Sequence, residues 1–228
     1  MKTALAQALA LVLSGDAQLL NIISTTLKMS ISSSLSALLI GVPAGVFLAV
    51  RNFPGRRFFV VWNRTMMGLP PVVCGLICYI LFSGTGPLRR LHLLYTVRGM
   101  VIAQFFLILP IVVGTLEAFA VRIVPDVRES VFGMGLSRGK YLSLVMNECR
   151  YQIVSAYLMA FSRAIAEVGA VSMVGGAIAY KTNVMTTAIM MYSNRGDFTL
   201  GLALGMILLV LSFVVNLAAW AVQQWVAR

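Results

Sequence analysis

Residues 128–150 read RESVFGMGLSRGKYLSLVMNECR, a short charged passage that runs straight into a long apolar helix pattern carrying SRAIAEVGA at residues 162–170. Most of the remaining sequence is apolar enough to lie within a membrane. We therefore expect residues 128–150, called the polar insert below, to be the part of the chain that contacts a soluble partner.

The composition is that of an integral membrane protein. Hydrophobic residues make up 60% of the chain and charged residues only 11%, whereas an ordinary soluble domain is about 25% charged. Apolar blocks long enough to cross the hydrocarbon core, which takes roughly 20 helical residues, recur along the chain. The sequence predicts an all-α protein in which residues 1–228 form a single transmembrane domain.

About five membrane spans are predicted. They cover residues 29–50, 59–82, 99–121, 151–179 and 198–222. Residues 1–15 superficially resemble a secretory signal, but no clear cleavage sequence follows them. We favour a retained amphipathic or interfacial segment over a removed peptide.

Basic residues predict the orientation, because cytoplasmic loops of membrane proteins carry an excess of Lys and Arg. With the polar insert in the cytoplasm, that side carries nine: Arg51, Arg56, Arg57, Arg122, Arg128, Arg138, Lys140, Arg150 and Arg228. The other side then carries six: Lys2, Arg89, Arg90, Arg98, Lys181 and Arg195. This bias places the N-terminus outside and the C-terminus in the cytoplasm, as five spans require.

Several function classes are disfavoured. The net charge of +11 would suggest nucleic acid in a soluble chain, but the basic residues sit mainly between apolar blocks, so topology and anionic lipid explain it. Three cysteines and one histidine do not make a zinc site. A phosphate-binding loop and a Ser-His-Asp arrangement are both missing. We expect no catalysis, metal or cofactor.

The polar insert is predicted to form a helix, a tight turn and a second helix. Pro125 and Asp126 suit a helix start, Glu129 then lies in the first turn, and Ser137 can cap the second helix. Glycines that should interrupt the helices are Gly133, Gly135 and Gly139. Apolar residues expected to be available to a partner groove are Val127, Val131, Met134 and Leu136.

Polar and helix-breaking residues also occur inside the predicted spans. Pro70 and Pro71 should break or kink the second span, either for packing or to line a pathway. Arg163 and Glu167 are four residues apart and should share a helical face, either as a structural ion pair or beside a translocation path. Arg64 should lie near the cytoplasmic end or face the bundle interior, because a charge in hydrocarbon is costly.

The polar insert resembles the signature loop of binding-protein-dependent ABC importer permeases, in which a Glu is followed six residues later by a Gly. Glu129 and Gly135 occupy these places, and Val145 the first hydrophobic place. Ser130 and Val131 stand where two alanines are usual. Further stretches, at residues 69–88, 103–114, 147–176 and 186–205, are similar to the tungstate branch of the molybdate, tungstate and sulfate importers.

This resemblance implies a type I permease in a bacterial cytoplasmic membrane, with a cytoplasmic coupling loop at about residues 122–150. The implied partners are a second copy of the chain, an ATP-binding subunit and an extracytoplasmic substrate-binding protein. Tungstate is the favoured substrate, with molybdate or sulfate as alternatives. A non-transporting membrane scaffold or regulatory subunit is the alternative from another class.

Three sets of residues receive roles from this reading. Coupling to the ATP-binding subunit is assigned to Glu129, Gly135, Ser137 and Arg138. A translocation path is assigned to Pro70, Pro71, Arg163 and Glu167. Steering of an anion or of the binding protein is assigned to Arg89, Arg90 and Arg98, with contact to lipid headgroups as the alternative.

Overall fold

The computed structural model describes residues 17–134 and 137–227, and every regular element within these ranges is helical. The α-helices are α1 (Ala17–Val50), α2 (Arg56–Met67), α3 (Pro71–Phe82), α4 (Val97–Gly133), α5 (Arg138–Glu148), α6 (Arg150–Ile165), α7 (Gly169–Gly175), α8 (Met185–Asn194) and α9 (Phe198–Ala227). A short 3-10 helix, Arg89–Leu91, lies between α3 and α4. The predicted all-α class is confirmed.

Five membrane crossings are compatible with these helices. Within the described ranges, α1, α4 and α9 are each long and apolar enough to cross a bilayer. The pairs α2–α3 and α6–α7 pass the same test together, but they are bent by 102° and 59° at short breaks. The second and fourth predicted spans are therefore broken helices, and the break before Pro71 is the one that the sequence predicts.

Two boundaries differ from the predicted ones by 12 residues each. Helix α1 starts at Ala17, well before the predicted span at residue 29, and α4 continues to Gly133 instead of ending at residue 121. The helix start expected at Pro125 is wrong, because Pro125 lies inside α4. A proline cannot donate the helical hydrogen bond to the carbonyl four residues earlier. For Pro125 that carbonyl belongs to Val121, which is 40% exposed. The prediction for residues 1–15 falls outside the described residues.

Helices α1 and α4 form the central pair and run in the same direction. Ser33 of α1 contacts Gln104 of α4, and Gly45 faces Val113. A Cβ placed on Gly45 would lie 2.7 Å from the Val113 carbonyl oxygen, so only glycine permits this approach. A Cβ placed on Gly41 would lie 2.8 Å from the Val112 side chain. Gly41 and Gly45 therefore form a helix-packing surface.

The segment 180–197, expected to be a connection, contains helix α8. Thr187 stabilises the start of α8: its hydroxyl accepts from the Val184 amide at 3.0 Å and donates to the Asn183 side chain at 2.9 Å. The hydroxyl of Thr26 in α1 accepts from the Met185 amide at 2.9 Å. These buried contacts dock α8 against α1 and explain why a polar stretch folds back into the bundle.

Candidate functional site

The polar insert forms the predicted helix, turn and helix, but with different boundaries. Helix α4 ends at Gly133, a turn follows at Met134, and Ser137 occupies the position before the first residue of α5. The Ser137 carbonyl accepts from the Tyr141 amide at 3.1 Å, although its side chain makes no capping hydrogen bond. Glu129 is exposed near the end of α4 and not in a first turn.

The second helix of the insert is fastened to the end of the bundle. Val131, Val145 and Cys149 are fully buried, and Tyr141 is nearly so. The expectation that Val131 faces a partner is wrong, because α5 folds back over that face of α4. Burial raises the pKa of the Cys149 thiol, and the nearby Glu148 carboxylate acts in the same direction.

Other expected features of the insert have mixed outcomes. Met134 is 64% exposed and so remains available to a partner. Gly139 does not interrupt a helix, since it lies near the start of α5; there, packing of α5 on the bundle offsets the modest cost of a helical glycine. Gly135 and Leu136 lie outside the described residues, as does the side chain of Arg138.

A cavity of about 750 Å³ separates the insert from the end of α1. Its walls include Arg51 and Asn52 from the loop after α1, and Tyr141 and Leu142 from α5. The loop that carries Arg51 is thus at the same end of the bundle as the polar insert. We call this end the coupling end and the opposite one the outer end.

The two helix breaks lie next to each other. Glu167 lies in the break between α6 and α7, and its carboxylate accepts from the Ala170 amide at 3.2 Å. A Cβ on Gly169 would lie 3.6 Å from that carboxylate and 3.3 Å from the amide nitrogen of Val72, the residue after Pro71. The structure therefore brings Pro70, Pro71 and Glu167 together.

Arg163 is not part of this cluster. It is exposed in the last turn of α6, whereas Glu167 is buried beyond the end of that helix. The expected same-face pairing is wrong because α6 ends at Ile165, so the four-residue spacing no longer follows one helix. Glu117 instead forms ion pairs with Arg56 and Arg64.

The basic residues at the outer end divide into two groups. Arg89 and Arg90 line a cavity of about 520 Å³ together with His92, which has a left-handed backbone with φ of 48°. Arg89 donates to the Gly84 carbonyl at 3.4 Å. Arg98 is exposed in the first turn of α4 and is absent from the residues that line this cavity.

Sequence reasoning missed the ion-pair cluster at the coupling end. Glu117 of α4 is buried, and its carboxylate lies 3.2 Å from the Arg56 guanidinium and 3.7 Å from that of Arg64. A glutamate inside a predicted span signals that a cation must be near it. The partners are 61 and 53 residues away in sequence, so the sequence pattern could not identify them.

Comparison with known proteins decides what kind of protein carries these features. The family model described as "binding-protein-dependent transport system inner membrane component" matches residues 41–228. The chain belongs to this family. It is a transport component and not an enzyme, and a multi-pass protein of the inner membrane that works with an ATP-binding subunit and a substrate-binding protein.

Individual relatives match most of this chain. The tungstate uptake system permease protein TupB of Peptoclostridium acidaminophilum is 33% identical over 95% of this chain and 95% of its own length. The protein of that name in Campylobacter jejuni is 36% identical over 92% and 88%. The sulfate transport system permease protein CysT of Escherichia coli is 27% identical over 79% and 70%.

A solved structure supports the fold. A chain of the MetNI methionine ABC transporter, in an inward-facing conformation, superimposes with a TM-score of 0.75 over 92% of this chain and 96% of that chain. The identity of 17% makes this a statement about the fold alone, which is that of a type I permease.

Proposed function

We propose that this permease imports an oxyanion, with tungstate favoured over molybdate and sulfate. Two relatives named for tungstate uptake align over nearly the whole chain at 33% and 36% identity, whereas the sulfate permease is at 27% over 79% of it. We further infer that two copies form the membrane unit, with the N-terminus outside and the C-terminus in the cytoplasm.

The observation that carries the mechanism is the continuity of α4. This helix has 37 residues, which gives a length of about 55 Å at 1.5 Å per residue. It starts next to the outer-end arginines and ends at the turn before α5. A movement applied at the coupling end therefore reaches the outer end through a single helix.

The polar insert is the proposed contact with the ATP-binding subunit. It belongs to a proposed coupling loop at about residues 122–150. Its exposed surface includes Glu129, Met134 and Ser137. Gly135, which follows Met134 in sequence, and Arg138, the first residue of α5, are proposed to take part in the same contact. Buried Val131 and Val145 fasten α5 to α4. Closure of the ATP-binding subunits would thus shift α4 and α5 together and alternate the access of the pathway.

The path of the anion is proposed to run past the place where the helix breaks meet. Pro70, Pro71 and Glu167 lie there, and Arg163 would line the same path from the exposed side of α6. Arg89, Arg90 and Arg98 would attract the anion or an acidic face of the binding protein at the outer end. Irregular backbone at membrane depth is tolerated where it is covered by protein or lines a cavity.

Substrate identity is tested by uptake into vesicles that contain the complete complex. We expect ATP-dependent uptake of tungstate, with molybdate and sulfate competing more weakly. Preferential uptake of sulfate would reassign the substrate, and ATP-dependent uptake of none of the three would remove the proposed function.

Coupling is tested by the variant Glu129→Lys in the same complex. We expect ATP hydrolysis to continue while tungstate uptake falls, because the exposed carboxylate at the turn is replaced by a bulky cation. The matched control is Asp197→Lys, which makes the same change at an exposed carboxylate outside the polar insert, just before the start of α9. Equal uptake by both variants and the unmodified complex would contradict the coupling role of Glu129.

A further inference from the structure

One carboxylate at the coupling end is shared by two guanidinium groups of α2. Glu117 Oε1 lies 3.2 Å from Nη2 of Arg56, and Oε2 lies 3.7 Å from Nη2 of Arg64. The three charged groups therefore sum to one positive charge. The excess positive charge lies on Arg64, whose guanidinium is farther from the Glu117 carboxylate.

The two arginines are held very differently. The Arg56 side chain is 25% exposed, and it also donates through Nε to the Leu48 carbonyl at the end of α1. The Arg64 side chain is 65% exposed, and its distance of 3.7 Å to Glu117 is too long for a hydrogen bond. Arg56 is a fixed structural partner, whereas Arg64 can exchange its partner without breaking a hydrogen bond to Glu117.

We expect Arg64 to lie beside water or headgroups and not in hydrocarbon. Helix α2 contributes no buried residue, yet an exposed guanidinium at membrane depth would be costly. Glu117 precedes the end of α4 by 16 residues, or about 24 Å of helix. Arg64 lies on the arm of the second span that precedes the Pro70 break, at the coupling end of the molecule.

We propose that Arg64 is a transient contact for the transported tetrahedral oxyanion. As the oxyanion leaves the helix breaks, it takes the place of the Glu117 carboxylate at the Arg64 guanidinium. A guanidinium can donate two parallel hydrogen bonds to an oxyanion. Glu117 then takes the guanidinium back, so the anion is released and not retained, as transport through a path requires. This inference rests on the proposed function and adds a residue to its pathway.

The test compares three variants in vesicles that contain the complete complex. Arg64→Gln removes the charge, Arg64→Lys keeps it without the planar fork, and Arg57→Gln is the matched control on a neighbouring exposed arginine of α2. At limiting tungstate we expect Arg64→Gln to lower uptake about tenfold, the size expected for one charged hydrogen bond. Arg64→Lys should be intermediate, and Arg57→Gln should match the unmodified complex.

ATP hydrolysis stimulated by the loaded binding protein is measured in the same vesicles. It should persist in Arg64→Gln, since Arg56 still pairs with Glu117 and the fold is kept. Equal uptake by Arg64→Gln and Arg57→Gln would overturn the inference. So would a parallel loss of uptake and hydrolysis that Arg64→Lys does not relieve, because that pattern indicates a structural role.

A lipid phosphate offers the same chemistry as the transported anion, and the lipid composition separates the two. The measurements are repeated in vesicles of phosphatidylcholine alone and in vesicles that also contain phosphatidylglycerol. An Arg64→Gln defect in both supports the oxyanion contact, whereas a defect only with phosphatidylglycerol assigns Arg64 to lipid and overturns it. If the unmodified complex takes up tungstate, failure of this inference leaves the proposed function intact.

Discussion

Gln104 is the buried side chain that holds three helices of the bundle together. Its amide nitrogen donates to the Ala164 carbonyl in α6, and its amide oxygen accepts from the Ser33 hydroxyl of α1 at 2.7 Å. Ala164 precedes the break after Ile165, where a continuous helix would have satisfied its carbonyl. Gln104 and the Glu167 amide satisfy it instead, which makes the break tolerable inside a membrane.

Replacing Gln104 by leucine should therefore destabilise the folded protein. Leucine fills a similar volume but leaves the Ser33 hydroxyl and the Ala164 carbonyl with fewer partners. A buried polar group that loses its hydrogen bond costs about 1–3 kcal/mol. The measurement is the temperature of unfolding of the purified permease in detergent, which we expect to fall.

The control for this prediction is Ser36→Ala on α1. The Ser36 hydroxyl is exposed and donates only within its own helix, to the Ser32 carbonyl. Its loss should leave the unfolding temperature close to that of the unmodified protein. If Gln104→Leu unfolds at that same temperature, the side chain does not hold the break in the way described.

At the scale of helices, the two breaks differ in how far the sequence could predict them. The break before α3 has a local cause, since Pro70 and Pro71 cannot continue a helix, and the sequence predicted it. The break at residues 166–168 lies inside a block predicted as one span. Distant residues stabilise it: Gln104 at the Ala164 carbonyl, and the Thr186 hydroxyl, which donates to the Glu167 carbonyl at 2.8 Å.

The same distinction applies to the candidate sites. The apolar blocks and the polar insert were visible as local patterns, and so five spans and a helix, turn and helix after the third span could be predicted. The burial of Val131 and the pairing of Glu117 with Arg56 depend on how α5 and α2 fold back on α4. Such long-range packing leaves no periodic signal in one sequence.

The contact between α3 and α7 gives a prediction at the scale of helices. A Cβ on Gly75 of α3 would lie 2.6 Å from the Cα of Ala170 in α7. Gly75→Ala should force these two short helices apart, because backbone cannot yield as a side-chain end can, and overpacking costs about 1–3 kcal/mol. We expect a lower unfolding temperature and slower uptake, measured on the purified complex.

The matched control is Gly205→Ala in α9, where a Cβ meets nothing within 4 Å. Alanine is also the better helix former, so the stability should hold or rise. If Gly75→Ala and Gly205→Ala gave the same stability and uptake, the close approach of α3 and α7 would not be a constraint on the native fold.

At the scale of the whole molecule, the course of the chain decides which loops share an end. The polar insert, with Glu129 and Glu148, belongs to the coupling end, whereas Arg89 and Arg90 lie with His92 at the outer end. Because α1 and α4 run in the same direction, the chain must return between them, and the broken pair α2–α3 makes that return. The loop after α1 and the polar insert therefore share one side.

Accessibility to a membrane-impermeant maleimide tests this arrangement and its orientation together. Cys74, Cys78 and Cys149 are buried, and each is first replaced by alanine to remove background. A cysteine is then placed at one of three exposed positions, Asn52, Thr85 or Ser143. In intact cells only Thr85→Cys should be labelled, because it lies at the outer end. Asn52→Cys and Ser143→Cys should both be labelled, and only after the membrane is permeabilised. Labelling of Asn52→Cys without Ser143→Cys in intact cells would refute their location on one side of the membrane. Labelling of both in intact cells would reverse the orientation.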